Sequence, residues 1–177
     1  THQKNSLLGF FNLPIRYLTR MSPAPRLILV DGSAYIFRAY YALPPMTNSL
    51  GVPTNAVYGF CNMMLKLIDQ YHDDKIIIVL DAGRNTFRNK LYAEYKANRS
   101  EAPEDLIPQF NIIREAIDAF GLDVIVKKDF EADDIVASYA KYGEENKINT
   151  IVYSSDKDLF QLLTGTTKII DPMKNIE

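Results

Sequence analysis

Seven carboxylates give this sequence its chemistry: Asp31, Asp81, Glu131, Asp133, Asp134, Asp156 and Asp158. Their placement matters more than their number. Asp31 closes the apolar run Leu27-Ile28-Leu29-Val30, and Asp81 closes Ile76-Ile77-Ile78-Val79-Leu80. Glu131-Ala132-Asp133-Asp134 comes soon after Val124-Ile125-Val126, and Asp156-Lys157-Asp158 soon after Thr150-Ile151-Val152-Tyr153. Any one of these acids could simply cap a helix, gaining roughly 0.3–1 kcal/mol from free N–H groups and the helix dipole. The set behaves differently. Two carboxylates ~4 Å apart repel by about 4 kcal/mol at an effective dielectric near 20, and several such pairs outweigh the capping gain. Protons or cations must compensate, and hard divalent ions that favour oxygen ligands do so without neutralising the acids.

The spacing agrees with a metal site. Glu131 and Asp134 stand three apart on one helix face, with Asp133 beside them, and Asp156 and Asp158 share a turn. Zinc is disfavoured, because His2 and His72 lie elsewhere and Cys61 sits in an apolar stripe. Two magnesium or manganese ions, bridged by shared carboxylates roughly 3.5–4 Å apart, suit in-line displacement at phosphorus.

A basic segment follows the second acidic strand end. Arg84, Arg88, Lys90, Lys96 and Arg99 stand against the single acid Glu94, with Phe87, Tyr92 and Tyr95 interleaved. Such cations neutralise backbone phosphates, and aromatic faces stack single-stranded bases. Apolar periodicity is poor here, so this is not a core helix. A solvated surface helix is the plainer alternative. The segment follows a ligand-bearing strand directly and can therefore reach the site.

The elements that position these groups can be read in order. Residues 26–30 form a strand apolar on both faces. A helix over 34–42 is stopped by Leu43-Pro44-Pro45, and a loop fills 46–53. Thr54 is placed to cap a helix whose inward stripe is Val57, Phe60, Cys61, Met64, Leu65 and Ile68. A strand at 76–80 precedes the basic segment. Residues 104–120 form an amphipathic helix with Gly121 just past its end. A strand at 123–127, a helix at 131–147, a strand at 150–153, a short helix at 156–163 and a strand at 167–170 complete the chain. This alternation implies an α/β fold: a parallel sheet with right-handed crossovers and helices on both faces, in three layers. In such folds sites lie beyond the C-terminal ends of the strands, where this sequence places its acids.

At 177 residues the chain suits one domain with a real core. A net charge of −2 does not argue against nucleic acid, since seven clustered acids would mask a basic surface in the sum. The single Cys61 rules out an internal disulfide framework and fits a reducing compartment. No apolar run approaches the ~18 residues of a membrane span. Residues 1–20 carry Lys4, Arg16 and Arg20 and no acid, and are read as a disordered extension ahead of a domain over 21–177, with Met21 as a natural start.

Six motifs then occur in order: Leu29-Val30-Asp31-Gly32-Ser33, Phe37-Arg38-Ala39-Tyr40, Pro53-Thr54-Asn55-Ala56-Val57-Tyr58-Gly59-Phe60, Tyr95-Lys96-Ala97-Asn98-Arg99, Glu131-Ala132-Asp133-Asp134 and Ser155-Asp156-Lys157-Asp158-Leu159. Together they resemble the amino-terminal part of the 5′–3′ exonuclease domain of bacterial DNA polymerase I, in the flap endonuclease superfamily, with a PIN-like, Rossmann-like sheet. The resemblance implies a metal-dependent nuclease acting on DNA 5′ ends and flaps and on RNA–DNA primer junctions. It also implies two Mg2+ or Mn2+ ions, a bacterial cytoplasmic setting near the nucleoid, and a polymerase domain in a full-length protein. By the same resemblance Asp31, Asp81, Glu131 and Asp133 are ligands of the first ion, and Asp134, Asp156 and Asp158 complete that site or reach towards the second. Asp31 and Asp81, with Lys96 and Arg99 as the basic pair approaching the scissile phosphate, form the catalytic set. Tyr95 is similar to the partner of a frayed 5′ nucleotide. Arg38 and Arg88, with Arg84 in the same basic stretch, are similar to phosphate-holding residues, and Thr54-Asn55 is placed to offer helix N–H groups to a phosphate. In the family a further aspartate pair and a helix–hairpin–helix follow the region where this sequence ends, and Asp171 does not supply that pair. The expectation is therefore a fragment or a shortened protein. The rival readings are a PIN-like ribonuclease and a DNA-binding module without activity.

Overall fold

Strand pleat decides the layering. In β1 (Leu27–Asp31) the side chains of Ile28 and Val30 enter one apolar cluster, while Leu27 and Leu29 enter another on the opposite face. β2 (Lys75–Leu80) splits the same way, Ile76, Ile78 and Leu80 to one side and Ile77 and Val79 to the other. A strand apolar on both faces must be covered on both faces, and it is. This computed structural model describes residues 26–83, 86–92, 94–96 and 100–171. The extension read over residues 1–20 lies outside them.

Five parallel strands lie in the order β3-β2-β1-β4-β5, with β3 at Asp123–Val126, β4 at Thr150–Tyr153 and β5 at Thr167–Ile170. Helices α1 (Gly32–Ala42), α2 (Asn55–Gln70) and α4 (Ile107–Ala119) cover one face through Ile36, Phe60, Met64, Ile113 and Ile117. Helix α5 (Ala132–Glu145) covers the other through Ile135, Val136 and Tyr139, joined by Leu159 of a 3-10 helix at Lys157–Leu162. The three-layer α/β expectation is met. The chain runs outward in one direction through β2 and β3 and in the other through β4 and β5, so the switch in strand order falls between β1 and β4. That is where crevices open in doubly wound sheets. Among the described residues no helix is long and apolar enough to cross a membrane.

Two helix starts and one cap differ from the sequence reading, each for a physical reason. Helix α1 begins two residues early because Asp31 ends the strand and also caps the helix, accepting the Ala34 N–H at 3.1 Å. The turn at Gly32 fits only a glycine: a Cβ there would lie 2.6 Å from Ile78 Cγ2. Helix α4 begins at Ile107 because residues 104–106 form a turn ahead of Pro108, a residue tolerated only in a first helical turn. Thr54 makes no side-chain cap for α2. Gln109, fully buried on α4, does that work instead: its Oε1 accepts the Ala56 and Val57 N–H groups at 2.8 and 3.2 Å.

The basic segment contains one short helix, α3 (Phe87–Leu91). It is fastened to the connection between β3 and α5. The Phe87 N–H donates to the Asp129 carbonyl at 2.8 Å, the Phe87 and Phe130 rings lie 5.6 Å apart, and Lys90 pairs with Asp129 at 3.1 Å.

Candidate functional site

The C-terminal rim of the sheet gathers the acids. A cleft of about 960 Å3 opens over it and is lined in part by Asp31, Asp81, Glu131, Asp133 and Asp156. An adjoining recess is lined by Glu131, Asp133, Asp134, Asp156 and Asp158. All seven sequence-predicted carboxylates thus lie along the two recesses, Asp31 at the end of β1 and the others from segments following β2, β3 and β4.

Each acid is held differently. Asp31 is buried; its Oδ2 accepts the Ser154 hydroxyl at 2.9 Å and its Oδ1 the Ala34 N–H. Burial raises its carboxyl above the ordinary value, with Asp81 and Asp156 adding to the push and the two hydrogen bonds opposing it. Asp81 accepts the Ala132 N–H at 2.7 Å, which ties the end of β2 to the start of α5. Asp156 accepts the Asp158 N–H at 2.8 Å, and Asp158 itself is exposed. Asp133 is half-buried and has no hydrogen-bond partner of its own among the described residues. Burial, then the charges of Asp31, Asp156 and Asp81, push its carboxyl up to about 6, against some relief from Lys96. Four acids, Asp31, Asp81, Asp133 and Asp156, therefore share one electrostatic environment.

Glu131 and Asp134 stand apart from that group. Arg88 donates to both oxygens of Asp134 at 2.7 Å, and the Glu131 N–H donates to Asp134 at 3.0 Å. Burial alone would raise the Asp134 carboxyl, but these bonds and the Arg88 charge hold it below the usual range. Glu131 accepts from Lys96 Nζ at 3.0 Å and from the Tyr95 hydroxyl at 3.2 Å. Among the described residues no three acidic, histidine or cysteine side chains converge as a ready ligand set. Glu131 and Asp134, read from the sequence as metal ligands, are engaged here by Lys96, Tyr95 and Arg88. Their helix spacing is as read, but the basic segment occupies them. Of the remaining acids, Asp31, Asp81 and Asp156 each accept from a different backbone N–H.

The basic residues are likewise redistributed. Arg88 and Lys96 are engaged with acids, and Arg88 also lies over the Phe87 and Tyr95 rings at 4.7 and 5.9 Å. Lys96 has a left-handed backbone, φ 54°, unusual for a residue with a side chain and concentrated at functional sites. Arg38, on α1, has Nη1 buried with no hydrogen-bond partner. Arg84 and Arg99 lie outside the described residues. The phosphate role read for Thr54 and Asn55 is corrected: Asn55 is 3 % exposed, its side chain bonds Tyr40 and Gln109, and Gln109 takes the next two N–H groups. The Ala56 and Val57 N–H groups are thus already taken and are not open to an anion.

Two serines and one helix face escaped the sequence reading. Ser154, fully buried, bridges Asp31 and the Asp156 N–H, and Ser33 accepts the Asp81 N–H at 2.9 Å. Both follow strand ends on the acidic rim, which is the signal that could have found them. Asn111 and Arg114 of α4 line the larger cleft, but their exposed positions look like any solvated helix face.

The model of the family described as 5′-3′ exonuclease, N-terminal resolvase-like domain, matches residues 26–177. A DNA polymerase I of Rhizobium leguminosarum is 48% identical over 164 residues, covering 88% of this chain and 16% of that protein. A 5′-3′ exonuclease of Aquifex aeolicus is 38% identical over 149 residues, covering 84% of this chain and 52% of that one. The chain thus spans about half the length of the exonuclease and about a sixth of the polymerase. A solved T5 5′-exonuclease with zinc ions bound superposes with a TM-score of 0.64 at 23% identity, covering 85% of this chain and 56% of that one.

Proposed function

This chain belongs to the family of 5′-3′ exonuclease N-terminal, resolvase-like domains, and from that membership we propose that it hydrolyses phosphodiesters at DNA 5′ ends and flaps with divalent metal. The observation that carries the reading is the group Asp31, Asp81, Asp133 and Asp156, mutually repelling on one sheet rim below a basic segment. The donor set fits a hard divalent cation: every candidate ligand is a carboxylate, and no histidine or cysteine stands among them. These four side chains would hold the metal, with Glu131, Asp134 and Asp158 lining the adjoining recess. A pair of divalent ions, Mg2+ or Mn2+, would supply there the positive charge that offsets charge developing on phosphate during in-line displacement.

The protein's own groups do the rest. Ser154 and the Ala34 N–H favour the ionised form of Asp31 and oppose the burial that favours its proton. Asp81 locks the first turn of α5 to β2 and so fixes where Asp133 stands. Lys96 carries its charge to the scissile phosphate, with Arg99 beside it, and Tyr95 offers a ring face to the unpaired 5′ nucleotide. Arg38, with one donor unspent, holds a neighbouring phosphate. The same chemistry serves RNA–DNA primer junctions in replication and repair, in the bacterial cytoplasm and alongside a polymerase domain in the longer relatives' manner.

The test is cleavage of a labelled 5′-flap DNA by the 177-residue chain in Mg2+, Mn2+ and EDTA, beside single-stranded and duplex RNA. Metal-dependent release of 5′ products is expected. Asp31→Asn and Asp133→Asn should each lower the rate by about a hundredfold or more, the scale of losing a principal electrostatic group, while the circular dichroism spectrum is unchanged. Variants that cut as fast as the parent overturn the site. Preference for RNA over flap DNA assigns the chain to a PIN-like ribonuclease instead.

A further inference from the structure

Arg88 came from the sequence as a phosphate contact, yet in the fold its guanidinium is already spent. Both terminal nitrogens donate to the two oxygens of Asp134 at 2.7 Å, and Nη1 lies 3.6 Å from Glu131 Oε2. The same group lies over the rings of Phe87 and Tyr95. A forked pair of this kind is specific to arginine, because a lysine ammonium cannot serve both oxygens in one plane. The pair is also largely shielded, with Arg88 31% and Asp134 19% exposed, so solvent screens it less than a surface bridge.

Neither partner is free to move alone. Arg88 sits on α3, whose preceding residue, Phe87, is fixed by its ring and backbone contacts to Phe130 and Asp129. Asn89, one residue on, donates to the Tyr95 carbonyl at 3.0 Å, which orients the turn that carries Lys96. Asp134 sits in the first turn of α5 and accepts the Glu131 N–H. Between Arg88 and Asp134, therefore, passes the only forked side-chain link among the described residues that joins the basic segment to the acid-bearing turn.

We infer that Arg88 is a positioning residue: through its fork to Asp134 it sets the direction of the Glu131–Asp134 turn and holds Tyr95 and Lys96 over the acids, and it does not itself bind DNA phosphate. Rate is thus lost when the fork is lost, although charge is kept. The inference rests on the nuclease reading for its kinetic arm alone.

The test uses the 177-residue chain with Arg88→Ala, Arg88→Lys, Asp134→Ala and the double Arg88→Ala/Asp134→Ala variant. On flap DNA in Mg2+, Arg88→Ala and Arg88→Lys should both lower kcat by about a hundredfold, the cost of a misplacement of about 1 Å, with KM changed less than about threefold. In EDTA, where nothing is cut, the slope of log affinity against log salt should be unchanged. Unfolding in urea should show the double variant far from additive, as for residues in direct contact. A direct phosphate contact predicts the reverse: KM rises, Arg88→Lys restores binding, the salt slope falls by about one, and the effects of the two positions add. A reduced slope overturns the inference whatever the unfolding shows, and so does additivity. Should Arg88→Ala not fold, Arg88→Lys carries the same comparisons. If the parent chain cuts nothing, the nuclease reading fails, while the EDTA binding and unfolding arms still decide Arg88.

Discussion

At the rim, Asp133 faces Asp31, Asp81 and Asp156, with some relief from Lys96. Its carboxyl titrates near 6 because burial and then three neighbouring acids disfavour ionisation. A carboxyl raised above its unfolded value of about 3.9 binds more protons in the folded state between roughly pH 4 and 6. Metal-free stability from this group therefore falls as pH rises through that window and stays lost above it. Asp133→Asn removes the penalty. At pH 7.5 in EDTA it should raise stability by about 1 kcal/mol, well below the full shift because half of the group is solvated. Thermal scans at pH 7.5 and pH 4 check this: the gain should shrink towards zero at the lower pH, and an unchanged midpoint at pH 7.5 refutes it. At this scale the sequence was informative about which acids gather, since a strand end fixes where its last residue points. It was silent about which neighbour claims each one. Glu131 and Asp134 lie three apart on a helix as read, but only the path of the basic segment shows that Arg88, Tyr95 and Lys96 face them.

Elements were legible where periodicity is local and less so where a distant side chain ends them. Strands β1, β2, β4 and β5 and helices α2 and α5 follow from apolar runs and 3.6-residue stripes, although Leu65, read as inward on α2, is exposed and Leu67 is buried instead. The start of α2 does not. Thr54 has the right residue type for a cap, yet the groups it would serve are served by Gln109, more than fifty residues away. Gln109 Nε2 also donates to Asn55 Oδ1 and the Asp105 carbonyl, each at 2.9 Å. A buried glutamine inside an amphipathic helix reads from sequence as a break in the apolar stripe, and its cost is recovered only once α2 is packed beside α4. Gln109→Leu keeps the volume and strands two N–H groups and the Asn55 amide. Buried polar groups left unpaired cost about 1–3 kcal/mol each, so a loss of about 3 kcal/mol in urea unfolding is expected. A loss below about 1 kcal/mol would mean that water enters and replaces the side chain.

For the whole molecule, parallel topology follows from alternating strands and helices, but strand order does not, because pairing partners are chosen by contacts far apart in sequence. The order β3-β2-β1-β4-β5 puts β1 and β4 side by side, which brings Asp31 next to Ser154 and Asp156 across 123 residues of chain. That adjacency concentrates negative potential on one edge of a chain whose net charge is only −2. Among the described residues of the basic segment, Arg88, Lys90 and Lys96 are each paired with an acid in the metal-free fold. A DNA backbone approaching the metal-free rim therefore meets repulsion from the acids it must sit against. Divalent ions reverse that local sign. Ca2+ is an oxygen-seeking ion of the same charge as Mg2+, and at constant ionic strength it should tighten flap-DNA binding by tenfold or more, about 1.4 kcal/mol. Ordinary screening predicts the opposite, because added cations weaken phosphate contacts. Anisotropy titrations in Ca2+ and in EDTA distinguish the two. The triple variant Asp31→Asn/Asp133→Asn/Asp156→Asn should bind flap DNA in EDTA as tightly as the parent does in Ca2+ and should gain nothing from the ion. Equal affinity of the parent in both conditions would show that the acids do not face the DNA.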